Sequence, residues 1–406
     1  MKEVKNIAEE LQNSGKLPLV EVHILRPTGG EMYNRGFNGR HKTLTVGGTV
    51  RNRFSSQSDK HAIRYQWEDR LNTRTRLLPE IVRQGVKSQL ESATEEDLTF
   101  ADGLVNELFS KQSKTKKGIG LTTAQVHALS EYDVEAITEA IVGEVNNPNH
   151  KKIADSAKEL RTGLEKDADS RKLDTVTALF GRMSTESLLS TVYSAVQMNH
   201  AYSVNPAAGD YDDFAAVDDY AEKMGIVISE EDEEKSGQKL GAGMIQTTDI
   251  ASNVYYQYAS VCERILFENL CRGRNLDDPA AIESVLKETK EITARFVKDF
   301  IFTLPGAKQN SNASYGMPEC VYMTVGTKVY PMTMDSAYEK VIIGTEENSV
   351  ADQAVDRMLT AVERAHDGAF AVNDYAGQYW MSDRDDTIPD YLKKIAVKDL
   401  AGVLEV

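Results

Sequence analysis

Apolar and polar positions alternate in the first structured stretch of the chain. LPLVEVHIL, from Leu17 to Leu25, sets Val20, Val22 and Ile24 against Glu21 and His23, the two-residue period of a half-buried strand. RPTGG, from Arg26 to Gly30, predicts a turn after it, and residues 31–48, rich in Gly, Asn and Arg, predict a long loop. TVRNRF, from Thr49 to Phe54, predicts a second strand. Ser55 to Ser58 then predict a cap on a helix that begins near Asp59. On that helix Lys60 and Arg64 share one face, and Ile63 and Trp67 share another.

From about Pro79 to Asp174 the period changes to that of helices. VEAITEAIVGEV puts Val134, Ile137, Ile141 and Val145 on one stripe, and NNP at Asn146–Pro148 stops it. The block predicts a helical insertion between strands of a core. LDTVTALFGRM, from Leu173 to Met183, predicts a buried strand ending in a Gly-Arg turn, and AVQMNHAYSV a further strand. An excursion rich in Gly, Asp and Glu, from Asn205 to about Gly243, separates these from MIQTTDIASNVYYQYASV, which resumes strand character. Asp278 and Pro279 start a helix with Ile282, Leu286, Ile292, Phe296 and Phe300 inward. LPGAKQNSNASYG is a second polar loop and leads into the strand ECVYMTV. The pattern is α+β, a sheet core interrupted by one helical and one loop-like excursion.

Charge changes this picture locally. The 406 residues carry a formal net charge of −16, which argues against a generic nucleic-acid coat. Yet from Arg35 to Arg64 the chain sets Arg35, Arg40, Lys42, Arg51, Arg53, Lys60 and Arg64 against a single acid, Asp59. A helix start with hydroxyls in front and cations behind suits a phosphate. On charge alone, a solvated basic loop and an anion site both remain open. The acidic extreme is Glu230 to Glu234.

Signatures of catalysis are sparse. The seven histidines show no HxxxH or HExxH spacing and read as structural by default. There is no GxSxG, no Walker lysine and no aromatic RNA-recognition signature. Asp212, Asp213, Asp218 and Asp219 could hold Mg²⁺, but solvated turn carboxylates are the commoner outcome in such a loop. Cys262, Cys271 and Cys320 lack metal spacing and read as reduced thiols; no run is long enough to span a membrane, and the charged N-terminus is no secretory signal. A cytoplasmic protein is expected.

Five segments in one order, RNRFSSQSDKHAIR, ALFGRMSTESL, DDFAAVDDY, SNVYYQYASV and LPGAKQNSNASYG, resemble the CasC (Cas-seven) backbone family of the type I-E CRISPR surveillance complex, Cascade. The resemblance runs from about Leu17 through Val325 and more weakly beyond. It implies a modified RRM or ferredoxin-like palm (1–65, 175–198 and 247–406), helical fingers (66–174) and a protruding thumb (199–246). It implies no catalysis and no cofactor. The expected partners are CRISPR RNA, neighbouring copies, other Cascade subunits and the target DNA strand paired to the guide. Carried over by residue, Asn34, Arg35 and Lys42 would face guide phosphates, and Arg51, Arg53, Ser55, Gln57, Lys60 and Arg64 would form the central backbone grip. Met183, after the Gly181-Arg182 turn, would wedge against an unstacked base, with Arg182 also an RNA contact, and Phe214 would pack at the kink. Lys308, Gln309 and Asn310, in the second polar loop, would also touch the guide. The thumb tip departs from the family pattern, with Ala215 after Phe214 and Asp213 before it. A related reading, from type III backbones, is a metal-dependent RNA endonuclease using Asp218 or Asp219.

Overall fold

Strand β1, Leu19–Glu31, is the spine of the fold, and its alternation sorts two cores. Val20, Val22 and Ile24 point to one side of the sheet and Glu21, His23 and Leu25 to the other. The computed structural model describes residues 2–67, 74–109, 113–116, 120–216, 223–224 and 244–404. Helix α1, Lys2–Asn13, precedes β1. Strand β2, Thr43–Val46, lies within the stretch expected to be loop, and with β3, Thr49–Phe54, the strand expected there, it forms a hairpin. Its turn is Gly47-Gly48, both at positive φ (54° and 76°), the backbone a tight two-residue hairpin requires. Helix α2, Ser56–Tyr65, follows, three residues earlier than expected, with Ser55 as its cap.

The helical insertion contains β4, Arg74–Thr75, α3, Leu78–Gln89, α4, Glu95–Phe109, β5, Ser113–Lys116, β6, Gly120–Thr123, β7, His127–Ala128, α5, Glu131–Val145, and α6, Ile153–Asp167. These helices enclose a core of their own around Leu104, Ile137 and Ile141. Leu188 and Leu189, from the chain that returns to the sheet, complete it.

The TVTALF run is a helix, α7, Thr175–Phe180, and not the buried strand expected. A six-residue apolar run carries no decisive period. Local chemistry decides it: the Asp174 carboxylate accepts from the Thr177 N–H (2.8 Å) and hydroxyl (2.7 Å), and Gly181 at φ 70° ends the helix. After it come β8, Val196–Met198, β9, Ala201–Ser203, β10, Asp210–Ala216, and β11, Met244–Cys262. The rest comprises α8, Glu263–Leu270, α9, Pro279–Phe302, α10, Gln309–Asn312, β12, Cys320–Gly326, α11, Asp335–Tyr338, α12, Val350–Asp367, β13, Gly377–Met381, β14, Lys393–Lys394, and α13, Leu400–Leu404.

The main sheet runs β14-β13-β12-β1-β11-β9-β3-β2, antiparallel except for β13 and β14. One face packs on α8 and α9 through Phe267, Phe296 and Phe300, the other on α12 through Val355, Met358 and Val362. The RPTGG segment, expected as a turn, stays in β1. Pairing with β11 continues across it, with a register shift between Thr28 and Glu31 where Gly30 takes φ 57°. β11 outlasts its neighbour: residues 244–250 pair with β10, beyond the last β1 partner at Ala251. Asp218, Asp219 and the acidic run Glu230 to Glu234 lie outside the described residues.

Candidate nucleic-acid interface

The start of α2 gathers groups scattered in sequence. The Ser55 hydroxyl accepts from the Ser58 N–H at 3.3 Å, and the Ser55 N–H donates to Asn34 Oδ1 at 3.2 Å. Ser55 is 7% exposed, so its hydroxyl serves the helix as a cap. The Ser56 N–H donates to Nδ1 of His200 at 3.0 Å. Burial, then the charges of Arg53 and Lys42, lower the His200 pKa, in keeping with a ring nitrogen that accepts. Asn34, Lys42, Arg53 and Ser55 thus meet around His200. Gln57 is exposed beside them.

One turn on, cations crowd. Lys60 is half-buried, its ammonium 3.4 Å from the Val196 carbonyl, and an Arg64 guanidinium nitrogen lies 3.3 Å from His61 Nδ1. Arg74, on β4, completes the group. Burial first and the charge of Arg74 second lower the pKa of both Lys60 and Arg64. The same burial, with Arg64 and Arg74, lowers that of His61. Asp59 does not offset this charge at the surface: its carboxylate is buried on the opposite side, where burial raises its pKa to about 7 against the charge of Arg26 and the Gln257 side chain. Like charges held together in partial burial are an electrostatic cost that a bound polyanion would remove.

The loop from Met32 to Lys42 adjoins the start of α2 through Asn34 and β3 through Lys42. The Lys42 N–H donates to the Asn34 carbonyl (3.0 Å), the Gly36 N–H to the Arg40 carbonyl (2.8 Å), and Arg35 pairs with His41. Arg35 and Arg40 are exposed. His41 is buried between two acids. Nδ1 lies 3.1 Å from Asp249 Oδ2, and Nε2 lies 2.9 Å from the Glu31 carbonyl and 3.5 Å from its carboxylate. Burial alone would lower the His41 pKa, but hydrogen bonds and charge from Glu31 and Asp249 raise it to about 9.

The extension of β11 carries the third group. Lys308 donates to the Thr248 hydroxyl at 2.6 Å and sits over the Phe214 ring, 5.6 Å from its centroid. The two residues expected in separate loops are therefore neighbours. Gln309 donates to the Pro305 carbonyl (3.3 Å), and Asn310 is exposed.

Two expected contact residues are placed elsewhere. Arg51 is fully buried, and its guanidinium donates to the carbonyls of Ser203, Val204, Tyr338 and Glu339. Arg182 is 4% exposed and pairs with the buried Asp133 while donating to the Ser190 carbonyl (2.9 Å) and hydroxyl (3.1 Å). Both guanidiniums are committed to holding segments together, which takes them out of the surface. Met183, the next residue, is 89% exposed because Arg182 and Gly181 turn the chain outward. His41, Arg74, His200 and Asp249 were not among the residues the sequence offered. His41 and Arg74 at least lie among basic neighbours, but nothing in the sequence links His41 to Asp249.

Among the described residues, no group of three His, Cys, Asp or Glu side chains is placed to hold a metal ion. Nor is any described helix long and apolar enough to cross a membrane.

A family model described as CT1975-like protein matches residues 20–402. Among solved structures, a chain of a CRISPR RNA-guided surveillance complex in a pre-nicking state is similar at 23% identity and a TM-score of 0.71, covering 95% of this chain and 99% of that one. A chain of another CRISPR RNA-guided surveillance complex is similar at 19% identity and a TM-score of 0.55, covering 95% and 98%. No curated protein matches.

Proposed function

As the chain belongs to the CT1975-like family, we propose that it is a CRISPR RNA-binding backbone subunit of a Cascade-type surveillance complex. The observation that carries this is the crowding of Lys60, Arg64 and Arg74 on α2 and β4, beside Asn34, Lys42 and Arg53. The outward groups are ammonium, guanidinium and amide, chemistry that grips phosphate and ribose without distinguishing bases. That suits a subunit that accepts any guide and leaves specificity to base pairing.

In the finer reading, the type I-E-like one, the sheet is an RRM-like palm, residues 66–174 are fingers and residues 199–246 a thumb. Copies stack along one guide in the cytoplasm, and the thumb kinks the RNA. Phe214 with Lys308 lies at the kink, and Met183 offers an apolar surface to an unstacked base. Arg35, Gln57 and Gln309 line the path of the backbone. The guide between kinks pairs with target DNA, other subunits complete the complex, and the subunit itself performs no chemistry.

The test is co-expression with a CRISPR array and the partner subunits. RNA of discrete guide length should co-purify with the chain in an assembly, and Lys60→Gln with Arg64→Gln should deplete it. A nucleic-acid-free monomer under those conditions would refute the reading. Periodic cleavage of complementary RNA with Mg²⁺, abolished by Asp218→Ala or Asp219→Ala, would replace it with the endonuclease.

A further inference from the structure

We infer that His41 is a positioning residue: as an imidazolium it latches the basic loop 32–42 onto the extension of β11, fixing the loop's cations and the Phe214–Lys308 pair in one geometry. This rests on the RNA-binding reading of that loop.

The hydrogen-bond geometry requires the doubly protonated ring. Nδ1 faces a carboxylate oxygen of Asp249 at 3.1 Å, and Nε2 faces the Glu31 carbonyl at 2.9 Å and its carboxylate at 3.5 Å. Every partner is an acceptor, and a neutral imidazole has only one N–H. The His41 backbone N–H also donates to Asp249 Oδ2 at 3.1 Å, so one carboxylate holds both main chain and ring.

Each anchor is itself fixed. Glu31, at the end of β1, accepts from the Tyr255 hydroxyl (2.6 Å), the Asn253 amide (2.9 Å) and the Tyr33 N–H (2.9 Å). Asp249, on β11, pairs in register with Tyr211 of β10 and is preceded by Thr248, which accepts from Lys308. The His41 ring therefore joins the loop that carries Arg35 and Lys42 to the strand pair that carries Phe214. Among the described residues, the charged groups that face it are Glu31 from β1 and Asp249 from β11; Tyr33 and Tyr255 act through Glu31. Two carboxylates around one imidazolium keep it charged well above neutrality, to a midpoint near pH 9.

The test compares wild type with His41→Gln and Asp249→Asn, using the full chain. Tryptic cleavage at Arg35 and Arg40 is measured from pH 7 through the His41 midpoint near 9 and normalised to a free peptide spanning residues 32–42. In parallel, a labelled oligoadenylate, whose bases do not titrate there, reports binding. At neutral pH, His41→Gln should be cut roughly tenfold faster, the equivalent of one charge-assisted hydrogen bond, and should bind more weakly by a similar factor. Wild type should converge on the variant as pH rises, and Asp249→Asn should fall between them. Equal cleavage and binding for all three proteins at every pH would overturn the latch. Cleavage that discriminates while the wild type fails to bind oligoadenylate would overturn the positioning role and the RNA-binding reading together, leaving a contact internal to the fold.

Discussion

Neutralising Lys60 and Arg64 should weaken RNA binding by an amount the structure bounds. Glutamine at both positions keeps the first two methylenes of each stem and removes two charges. Both side chains are partly buried, so each phosphate contact falls between an exposed ion pair, near 0–1 kcal/mol, and a charge-assisted hydrogen bond at about 1.5–3 kcal/mol. About 1 kcal/mol each gives ~2 kcal/mol, a loss of roughly 30-fold in affinity. Salt dependence gives a second, independent number. If Arg35, Lys42, Arg53, Lys60 and Arg64 each neutralise one phosphate, the slope of log K against log salt is about −3.5 per subunit, since single strands contribute about −0.7 per contact. The double variant should show about −2.1. The assay is fluorescence anisotropy with oligoadenylate across a salt series, alongside thermal unfolding of the free protein. Because Arg74 repels both side chains, relief of that repulsion should offset the loss of the Lys60 contact to the Val196 carbonyl and the Arg64 contact to His61, so the melting temperature of the free chain should change little. A 30-fold loss with an unchanged slope would refute the phosphate assignment, and a fall in melting temperature of several degrees would mean the site had been lost to unfolding.

Asp133→Ala should be severe. It leaves the buried guanidiniums of Arg182 and Arg171 without their carboxylate, at a cost of about 3–5 kcal/mol that thermal or urea unfolding would show as a large fall in midpoint. Met183→Ser should leave stability within about 0.5 kcal/mol, since the side chain is exposed. The same change should increase the reactivity of guide nucleotides to a base-directed chemical probe in the assembled complex; an unchanged probing pattern would remove Met183 from the base contact. Gly47→Ala should destabilise by about 2 kcal/mol or more, because the position needs φ 54° and a Cβ there would collide with the Glu339 carbonyl. Hydrogen exchange at the β2–β3 hairpin would localise that loss.

Long periodic segments were legible in the sequence. Of the stripe read on α5, Ile137, Ile141 and Val145 are buried and Val134 is partly so, and the Asp278-Pro279 start of α9 stands as read. Short or Gly-rich segments were not, because tertiary pairing decides them. RPTGG stays extended since β11 runs alongside it, and TVTALF winds up because Asp174 caps it. In the candidate site, the same residue type has opposite fates that charge counting cannot separate. Arg35 and Arg40 are exposed, whereas Arg51, eleven residues after Arg40, is spent on four carbonyls of distant segments. The default that treats a lone histidine as structural hid His41, whose partners lie 10 and 208 positions away.

The unbroken run of β11 has a consequence for how such chains can diverge. Its 19 residues span about 60 Å at the usual rise, from the centre of the sheet to the far end of its pairing with β10. One residue added between Ala251 and Thr248 would turn Thr248 away from Lys308 and Phe214 away from its cation, since side chains alternate at every step. Two residues would restore both faces and lengthen the extension by about 6.6 Å. Homologous chains with this strand intact should therefore differ in reach by even steps, a parity that comparing loop-free alignments of β10 and β11 would reveal.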